Sequence, residues 1–309
     1  MTNQFLFWVF FSIFVFTMLA VDLGIFNRRA HVIKIKEALV WSAVWISLSL
    51  LFNLGIFFFY GSEKALEFLT SYLIEKSLSI DNIFVFIMIF SYFRVPPLYQ
   101  HKVLFWGIIG ALVMRGIFMM VGVTLIHKFH SVIYIFGAFL IYTGFKMAVK
   151  KDKKVNLERN TVLRLLHRFV PTTNHHEDGK FFVKQKGKYH ATPLLIVLLF
   201  IETTDIVFAV DSIPAVLAIT TDLPIVYTSN VFAILGLRAL YFALAGVTKR
   251  FYYLRHGLII IIMFVGIKML LTDIFKIPTG IALGVIASVV FISLIASIIQ
   301  HKKQDIVIP

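Results

Sequence analysis

Residues 191–217 read ATPLLIVLLFIETTDIVFAVDSIPAVL, an apolar run interrupted by three carboxylates. A helix of this length crosses the roughly 30 Å hydrocarbon core of a bilayer. Similar apolar blocks recur along the 309 residues, at 5–26, 39–60, 68–93, 103–125, 131–149, 226–247, 257–272 and 279–299. Only 15% of the residues are charged and the mean hydropathy is +0.88, whereas soluble domains carry about 25% charged residues. The chain is therefore predicted to be an all-α, polytopic membrane helix bundle of about nine spans.

The basic residues predict how the bundle is oriented. Of the 30 Lys and Arg residues, 22 fall in alternate connecting segments, which are 27–38, 94–102, 150–190, 248–256 and 300–309. Lysine and arginine in short loops stay on the cytoplasmic side, so the N-terminus is expected outside and the C-terminus inside. The same distribution accounts for the net charge of +14, so lipid is the expected surrounding and no nucleic-acid partner is predicted. The chain contains no cysteine, which excludes disulfides and thiolate metal sites.

Two groups of three spans carry matching residues in the same order. Asp81, Arg115 and Lys146 follow one another at intervals of 34 and 31 residues, and Asp205, Arg238 and Lys268 at intervals of 33 and 30. A repeat of three spans is odd, so the second copy must enter the membrane from the opposite side. Inverted repeats of this kind are common in transporters, whose substrate sites lie where the repeats meet.

This pattern divides the chain into five segments. Two N-terminal spans lie outside the repeat, a loop of about 40 residues separates the repeats, and a C-terminal span with a short cytoplasmic tail follows them. The predicted bounds are 1–67, 68–149, 150–190, 191–272 and 273–309. Within the loop, residues 157–170 form a short amphipathic stretch, and 181–189 read as a small hairpin.

Five acidic residues lie well inside predicted spans: Glu75, Asp81, Glu202, Asp205 and Asp211. Each would cost about 2.5–3.5 kcal/mol at the bilayer centre without a partner. Internal pairing with Arg115 and Arg238 is one explanation, and these two arginines are the predicted charge-balancing residues. Five carboxylates exceed two deep arginines, however, and the excess negative charge suits a cation site or a proton relay. The lysines within spans, Lys76, Lys146 and Lys268, are expected to extend to water.

Oxygen ligands without cysteine favour Mn, Mg or Ca over copper or zinc. One straight helix cannot direct Glu202, Asp205 and Asp211 to a single ion, because Asp211 points about 120° away from Asp205. Either the helices unwind locally, with Pro214 marking a kink or break, or Asp211 and Glu75 line vestibules. Weaker candidates for the metal site or its pathway are Asp22, Ser79, Thr204 and Ser212. The His175-His176-Glu177-Asp178 run lies in the loop and is not predicted to be a specific metal site.

At these residues the sequence resembles the TerC/Alx family of bacterial integral membrane proteins. The likeness rests on Glu75-Lys-Ser-Leu-Ser-Ile-Asp81-Asn82, on Glu202-Thr-Thr-Asp205-Ile-Val-Phe-Ala-Val-Asp211-Ser-Ile-Pro214, and on the stretch from Asn230 to Arg238. It extends over nearly the whole chain. The resemblance implies membership of the wider LysE-like transporter superfamily and location in the bacterial inner membrane.

The resemblance also implies manganese export, tied in some members to alkaline pH and in others to metal supply for secreted enzymes. It assigns metal handling to Glu75, Asp81, Asn82, Glu202, Asp205 and Asp211. Mn²⁺ is thus expected as the substrate, without an organic cofactor, and protons are a candidate coupling ion. The alternative is a membrane partner that delivers metal, or acts in tellurite or pH stress, without transporting ions. No HExxH or similar motif is present, so no enzymatic activity is predicted.

Overall fold

The computed structural model describes residues 2–24, 35–149, 179–185, 188–245 and 253–307. It is a bundle of helices with one small hairpin. The helices are α1 (Thr2–Gly24), α2 (Ile35–Tyr60), α3 (Ser62–Tyr92), α4 (Pro97–Lys128), α5 (Val132–Val149), α6 (Pro193–Leu217), α7 (Leu223–Leu235), α8 (Leu237–Ala245), α9 (Leu254–Leu270) and α10 (Thr279–Val307). Residues 157–170 and 175–178, which carry the predicted amphipathic stretch and the histidine run, lie outside the described residues.

Helix length and hydropathy confirm a polytopic membrane protein. Within the described ranges, six helical stretches are long and apolar enough to span a bilayer: 35–60, 97–128, 132–149, 193–217, 223–245 and 279–297. Two shorter apolar stretches lie within α1 and α9. Large apolar side chains such as Phe16, Phe58 and Phe59 point out of the bundle, and Phe59 is 86% exposed. These surfaces are stable only against lipid.

The predicted seventh span is interrupted. The α-helical pattern stops at Gly236 for one residue, so that α7 and α8 form two halves of one apolar stretch. Of the kink or break expected near Pro214, the break is absent, because α6 continues through Pro214 to Leu217. Pro214 has no N–H, so α6 lacks the hydrogen bond from residue 214 to the carbonyl of Val210 but does not end there.

Helices from the two predicted groups of three spans pack against one another. α4 lies against α6, and α7 lies against α3. α5 lies against α9 with little between the backbones, since a Cβ atom on Gly137 would stand 3.0 Å from the carbonyl oxygen of Gly266. The reverse distance, from a Cβ atom on Gly266 to the carbonyl oxygen of Gly137, is 2.9 Å. Small residues let membrane helices approach closely in this way.

A polar bridge ties the start of α5 to the segment that follows α9. Asp273 accepts hydrogen bonds from the hydroxyl of Tyr134 and from Nε2 of His130, the latter at 2.9 Å. The hydrogen bond from Tyr134, followed by the one from His130, lowers the pKa of Asp273. The carboxylate therefore remains charged, and the bridge intact, at pH values where an ordinary aspartate begins to protonate.

The predicted hairpin is present and caps one end of the bundle. β1 (Phe182–Gln185) pairs antiparallel with β2 (Lys188–Ala191). The ammonium of Lys102 at the start of α4 donates to the carbonyl of Gly179 at 2.9 Å and lies over the Phe181 ring. Because β2 runs directly into α6, the hairpin fixes the ends of α4 and α6 next to each other. These two helices carry most of the site.

Candidate functional site

A buried arginine on α4 joins carboxylates from two other helices. Nε of Arg115 donates to Oδ2 of Asp205 at 3.0 Å, and Nη2 donates to Oδ1 at 2.8 Å. Nη1 donates to Oε1 of Glu75. Arg115 is 1% exposed, Asp205 4% and Glu75 0%. The guanidinium thus holds α3 and α6 together through three charged hydrogen bonds.

Each member of this cluster lies near the middle of its helix. Glu75 is about the fourteenth residue of α3 and Asp205 about the thirteenth of α6, so each is roughly 20 Å from its helix start at 1.5 Å per residue. Arg115 occupies the corresponding region of α4. The cluster therefore lies deep in the apolar layer, where an unpaired charge is most costly.

Several oxygen atoms around the cluster have no hydrogen-bond partner. Within the part of the chain that the structure describes, these include Oε2 of Glu75 and the hydroxyls of Ser79 and Ser212. Ser79 lies one turn after Glu75, and Ser212 two turns after Asp205, so each shares a helix face with a carboxylate. Asn82 is also buried on α3. Unsatisfied buried oxygens are costly, and a bound cation is one way to satisfy them.

Glu202 differs from the other two carboxylates. It lies one turn before Asp205 and is only partly buried. Among the described residues it has no hydrogen bond and no ion pair. Its carboxylate packs against Gly110 of α4, and a Cβ atom added to Gly110 would collide with it. Gly110 therefore provides the space that Glu202 occupies.

Asp211 faces a different helix. The hydroxyl of Thr143 on α5 approaches its Oδ1 at 3.4 Å, in keeping with the 120° separation from Asp205. The hydroxyl of Thr204 donates to the carbonyl of Phe200 in its own helix at 2.6 Å. The structure therefore brings together Glu75, Asp205 and Arg115 and places Asp211 apart from them.

The second deep arginine lies beside the same region. Arg238 follows the interruption at Gly236 and is 6% exposed. It lines a small cavity together with Asp205 and Gly107. The side chains of Asp22 and Asp81, both predicted site residues, lie outside the described part of the structure.

No ready-made cation cage exists among the described side chains, since no three His, Asp or Glu residues there are gathered closely enough to hold a metal. The reason is visible in the cluster itself, where the guanidinium of Arg115 lies between Glu75 and Asp205. The donor set nevertheless fits a hard divalent cation in kind, because it consists of carboxylate and hydroxyl oxygens. Arg115 would have to withdraw for one ion to contact both acids.

The expectation that the lysines within spans extend to water is wrong for two of them. The ammonium of Lys76 donates to the carbonyl of Ala233 at 3.2 Å, at the end of α7 beside Gly236. Lys268 is 9% exposed and donates to the carbonyl of Ala218 after α6 at 2.8 Å. Both lysines bind backbone oxygens that the end of a helix leaves free.

Sequence reasoning missed one polar group at the end of the bundle where α3 begins. Lys64 contacts Glu67 at 3.0 Å and Asp222 at 2.9 Å, and the hydroxyl of Thr220 donates to Glu67 at 2.7 Å. These residues line an open pocket between α3, α4 and the connection from α6 to α7. The spacing along α3 could have indicated this polar group, because Glu67 lies eight residues before Glu75, on the same face of the helix.

Comparison with known proteins identifies the chain's relatives. The family model for "Integral membrane protein TerC family" matches residues 60–305. The chain belongs to the TerC family. An uncharacterized membrane protein of Myxococcus xanthus is 51% identical over 295 residues, which cover 96% of this chain and 92% of that protein. A Salmonella typhi protein, named provisionally as a membrane-bound redox modulator, Alx, is 46% identical over 97% of this chain and 96% of its own length.

An uncharacterized membrane protein of Rickettsia bellii is 40% identical over 96% of this chain and 99% of its own. No solved structure shows a significant match. The matched residues 60–305 include α3 and α6, on which Glu75, Glu202 and Asp205 lie. The resemblance seen in the sequence is thereby confirmed.

Proposed function

We propose that the chain is a secondary transporter that exports a divalent cation, with Mn²⁺ as the substrate, across the bacterial cytoplasmic membrane. The observation that carries the proposal is Glu202, a carboxylate in the middle of a membrane-spanning helix with no ion-pair partner among the described residues. Acidic residues at this depth are costly and usually mark an ion or proton pathway. Arg115 pairs with Glu75 and Asp205 but not with Glu202.

The chemistry of the donors favours a hard cation. Glu202 and Asp205 are one turn apart on the same face of α6, and Glu75 approaches Asp205 from α3 through Arg115. Carboxylate and hydroxyl oxygens suit Mn²⁺, Mg²⁺ or Ca²⁺. The choice of Mn²⁺ comes from the family resemblance, and the residues alone favour no member of this set.

The helix packing supports an inverted repeat. If Gly144 corresponds to Gly266, then Gly137 corresponds to Ile259, because each lies seven residues earlier. A two-fold axis in the membrane plane requires that a contact between Gly137 and Gly266 be accompanied by one between Ile259 and Gly144. Both are present, the second with a Cβ atom on Gly144 3.6 Å from the carbonyl oxygen of Ile259. The pairs α4 with α6 and α7 with α3 are likewise exchanged by that axis.

A second candidate is a membrane partner that supplies metal, or acts in a stress response, without moving ions itself. The name of the Salmonella typhi relative favours a redox role for that protein. A thiol–disulfide mechanism cannot reside in these 309 residues, because they contain no cysteine. Transport by the purified chain alone separates the two candidates.

The test is Mn²⁺ flux in sealed proteoliposomes that contain only this protein. The parent should carry Mn²⁺, and Glu202→Gln should reduce the flux by at least about tenfold, the lower end of the effect of mutating even a neighbour of a metal ligand. Glu63→Gln makes the same chemical change at an exposed position in the first turn of α3 and should transport like the parent. Parent vesicles without flux would refute the transporter, and normal flux in Glu202→Gln would refute this site.

A further inference from the structure

Arg115 occupies the position between Glu75 and Asp205 that a shared cation would need. Its three donor nitrogens all bind carboxylate oxygens, two on Asp205 and one on Glu75. All three side chains are almost completely buried. The guanidinium therefore acts as a monovalent cation that is tethered to α4 and already bound.

A divalent cation cannot simply join this arrangement. The two carboxylates and the arginine carry one negative charge and Glu202 a second, so charge alone would admit Mn²⁺. The guanidinium, however, already binds both oxygens of Asp205 and one oxygen of Glu75. The guanidinium and the metal would also repel each other strongly at such short range. Metal binding to Glu75 and Asp205 therefore requires Arg115 to release them.

Glu202 gives the metal a first contact that Arg115 does not hold. Its carboxylate lies above Gly110 of α4, on the face of α6 that also presents Asp205 one turn later. A cation bound at Glu202 is thus placed to take Asp205 from the guanidinium. When the cation leaves, the two buried carboxylates need a positive charge again, and Arg115 is the residue already bonded to both.

We propose that Arg115 is an internal counter-ion that competes with the transported cation for Glu75 and Asp205 and replaces it in the empty protein. This inference rests on the proposed transport function. The loaded carrier moves with the metal between the carboxylates, and the empty carrier returns with Arg115 between them. Without Arg115, the empty carrier would have to expose or move two uncompensated buried charges, which is strongly unfavourable.

If Arg115 is a counter-ion, its loss should affect net efflux and Mn²⁺ exchange differently, whereas the loss of a purely structural arginine should affect both alike. Net efflux needs the empty protein to return, whereas exchange of Mn²⁺ for Mn²⁺ returns only loaded protein. Arg115→Gln should therefore lose net efflux by about tenfold or more and keep exchange within about twofold. It should also bind Mn²⁺ more tightly, by roughly ten- to a hundredfold, the usual size of a coupling between two sites.

The experiment uses the full chain in proteoliposomes, with ⁵⁴Mn²⁺ loaded inside and Mn²⁺ either present or absent outside, and with Mn²⁺ affinity measured on the same preparation. Lys268→Gln is the matched control, because it removes another buried cation that binds a backbone carbonyl and no carboxylate. It should not tighten Mn²⁺ binding. If Arg115→Gln does not fold, Arg115→Lys keeps the charge but loses the two-pronged contact, and it should bind Mn²⁺ several-fold more tightly than the parent.

Each result decides one of the two proposals. Tighter binding with selective loss of net efflux supports the counter-ion. Unchanged or weaker Mn²⁺ binding in both Arg115→Gln and Arg115→Lys overturns the counter-ion proposal. So does a parallel loss of exchange and net efflux in Arg115→Gln. Either result leaves the proposed transport by the parent intact. A parent protein that neither binds nor carries Mn²⁺ overturns the proposed function instead.

Discussion

Replacing Asp205 by asparagine should destabilise the protein, whereas replacing Glu202 by glutamine should not. Both changes remove one negative charge from α6 with almost no change in shape, and the two residues are only one turn apart. They differ in their partners, because Asp205 accepts two hydrogen bonds from Arg115 and Glu202 accepts none from the described residues.

The size of the effect follows from these contacts. Asparagine keeps one oxygen that can accept from Arg115, but its amide nitrogen faces the second guanidinium nitrogen as another donor. One charge-assisted hydrogen bond, worth about 1.5–3 kcal/mol, is lost together with the charge. Arg115 keeps Glu75 as a charged partner, so no buried charge is left unpaired. We therefore expect about 1.5–3 kcal/mol less free energy of unfolding for Asp205→Asn. Glu202→Gln removes an unpaired charge and should leave the free energy of unfolding unchanged or slightly higher.

Unfolding by SDS titration in mixed micelles measures both variants against the parent. The triple variant Asp205→Asn, Glu75→Gln and Arg115→Gln serves as the control, since it removes every charge of the Arg115 cluster and should recover part of the loss. The reasoning is wrong if Asp205→Asn unfolds like the parent, or if Glu202→Gln costs as much as Asp205→Asn. It is also wrong if the triple variant shows no recovery.

Two further predictions concern packing and orientation. Gly110→Ala should displace the Glu202 carboxylate and reduce Mn²⁺ flux by about tenfold or more. The control is Gly55→Ala, which should transport normally because an added Cβ atom there meets nothing within 4 Å. Equal flux in the two variants would contradict the assigned role of Gly110. Because the chain contains no cysteine, single cysteines at Lys276 and Lys184 can be labelled with an impermeant reagent. They should react from opposite sides of the membrane, and labelling from one side only would refute the predicted topology.

The sequence was sufficient for those features that depend on burial along one helix. Apolar blocks of about twenty residues predict spans whatever their neighbours are. The depth of Glu75, Asp205 and Arg115 follows from their positions within those blocks. The separate direction of Asp211 follows from helical geometry alone, and the structure accordingly places it against α5.

The sequence could not predict features that depend on how helices rotate against one another. Two arginines and five carboxylates allow many pairings, and only the packing of α6 against both α4 and α3 selects Glu75 and Asp205 for Arg115. The carbonyl contacts of Lys76 and Lys268 have the same origin, since each lysine reaches a different helix. The helix interruption at Gly236 could not be predicted either, because no proline in the sequence indicates a break at that position.

The contact between α5 and α9 restricts how the two halves can move. At Gly137 and Gly266 each glycine faces a main-chain carbonyl oxygen of the other helix, with side-chain atoms of Leu270 and Ile141 equally close, so the two backbones have no room to approach further. Sliding one helix along the other would first require the pair to separate, with loss of the dispersion contacts that hold it. Any rearrangement that opens the site therefore leaves α5 and α9 together as a fixed pivot, and the displacement must occur in α3, α4, α6 and the halves of the interrupted helix.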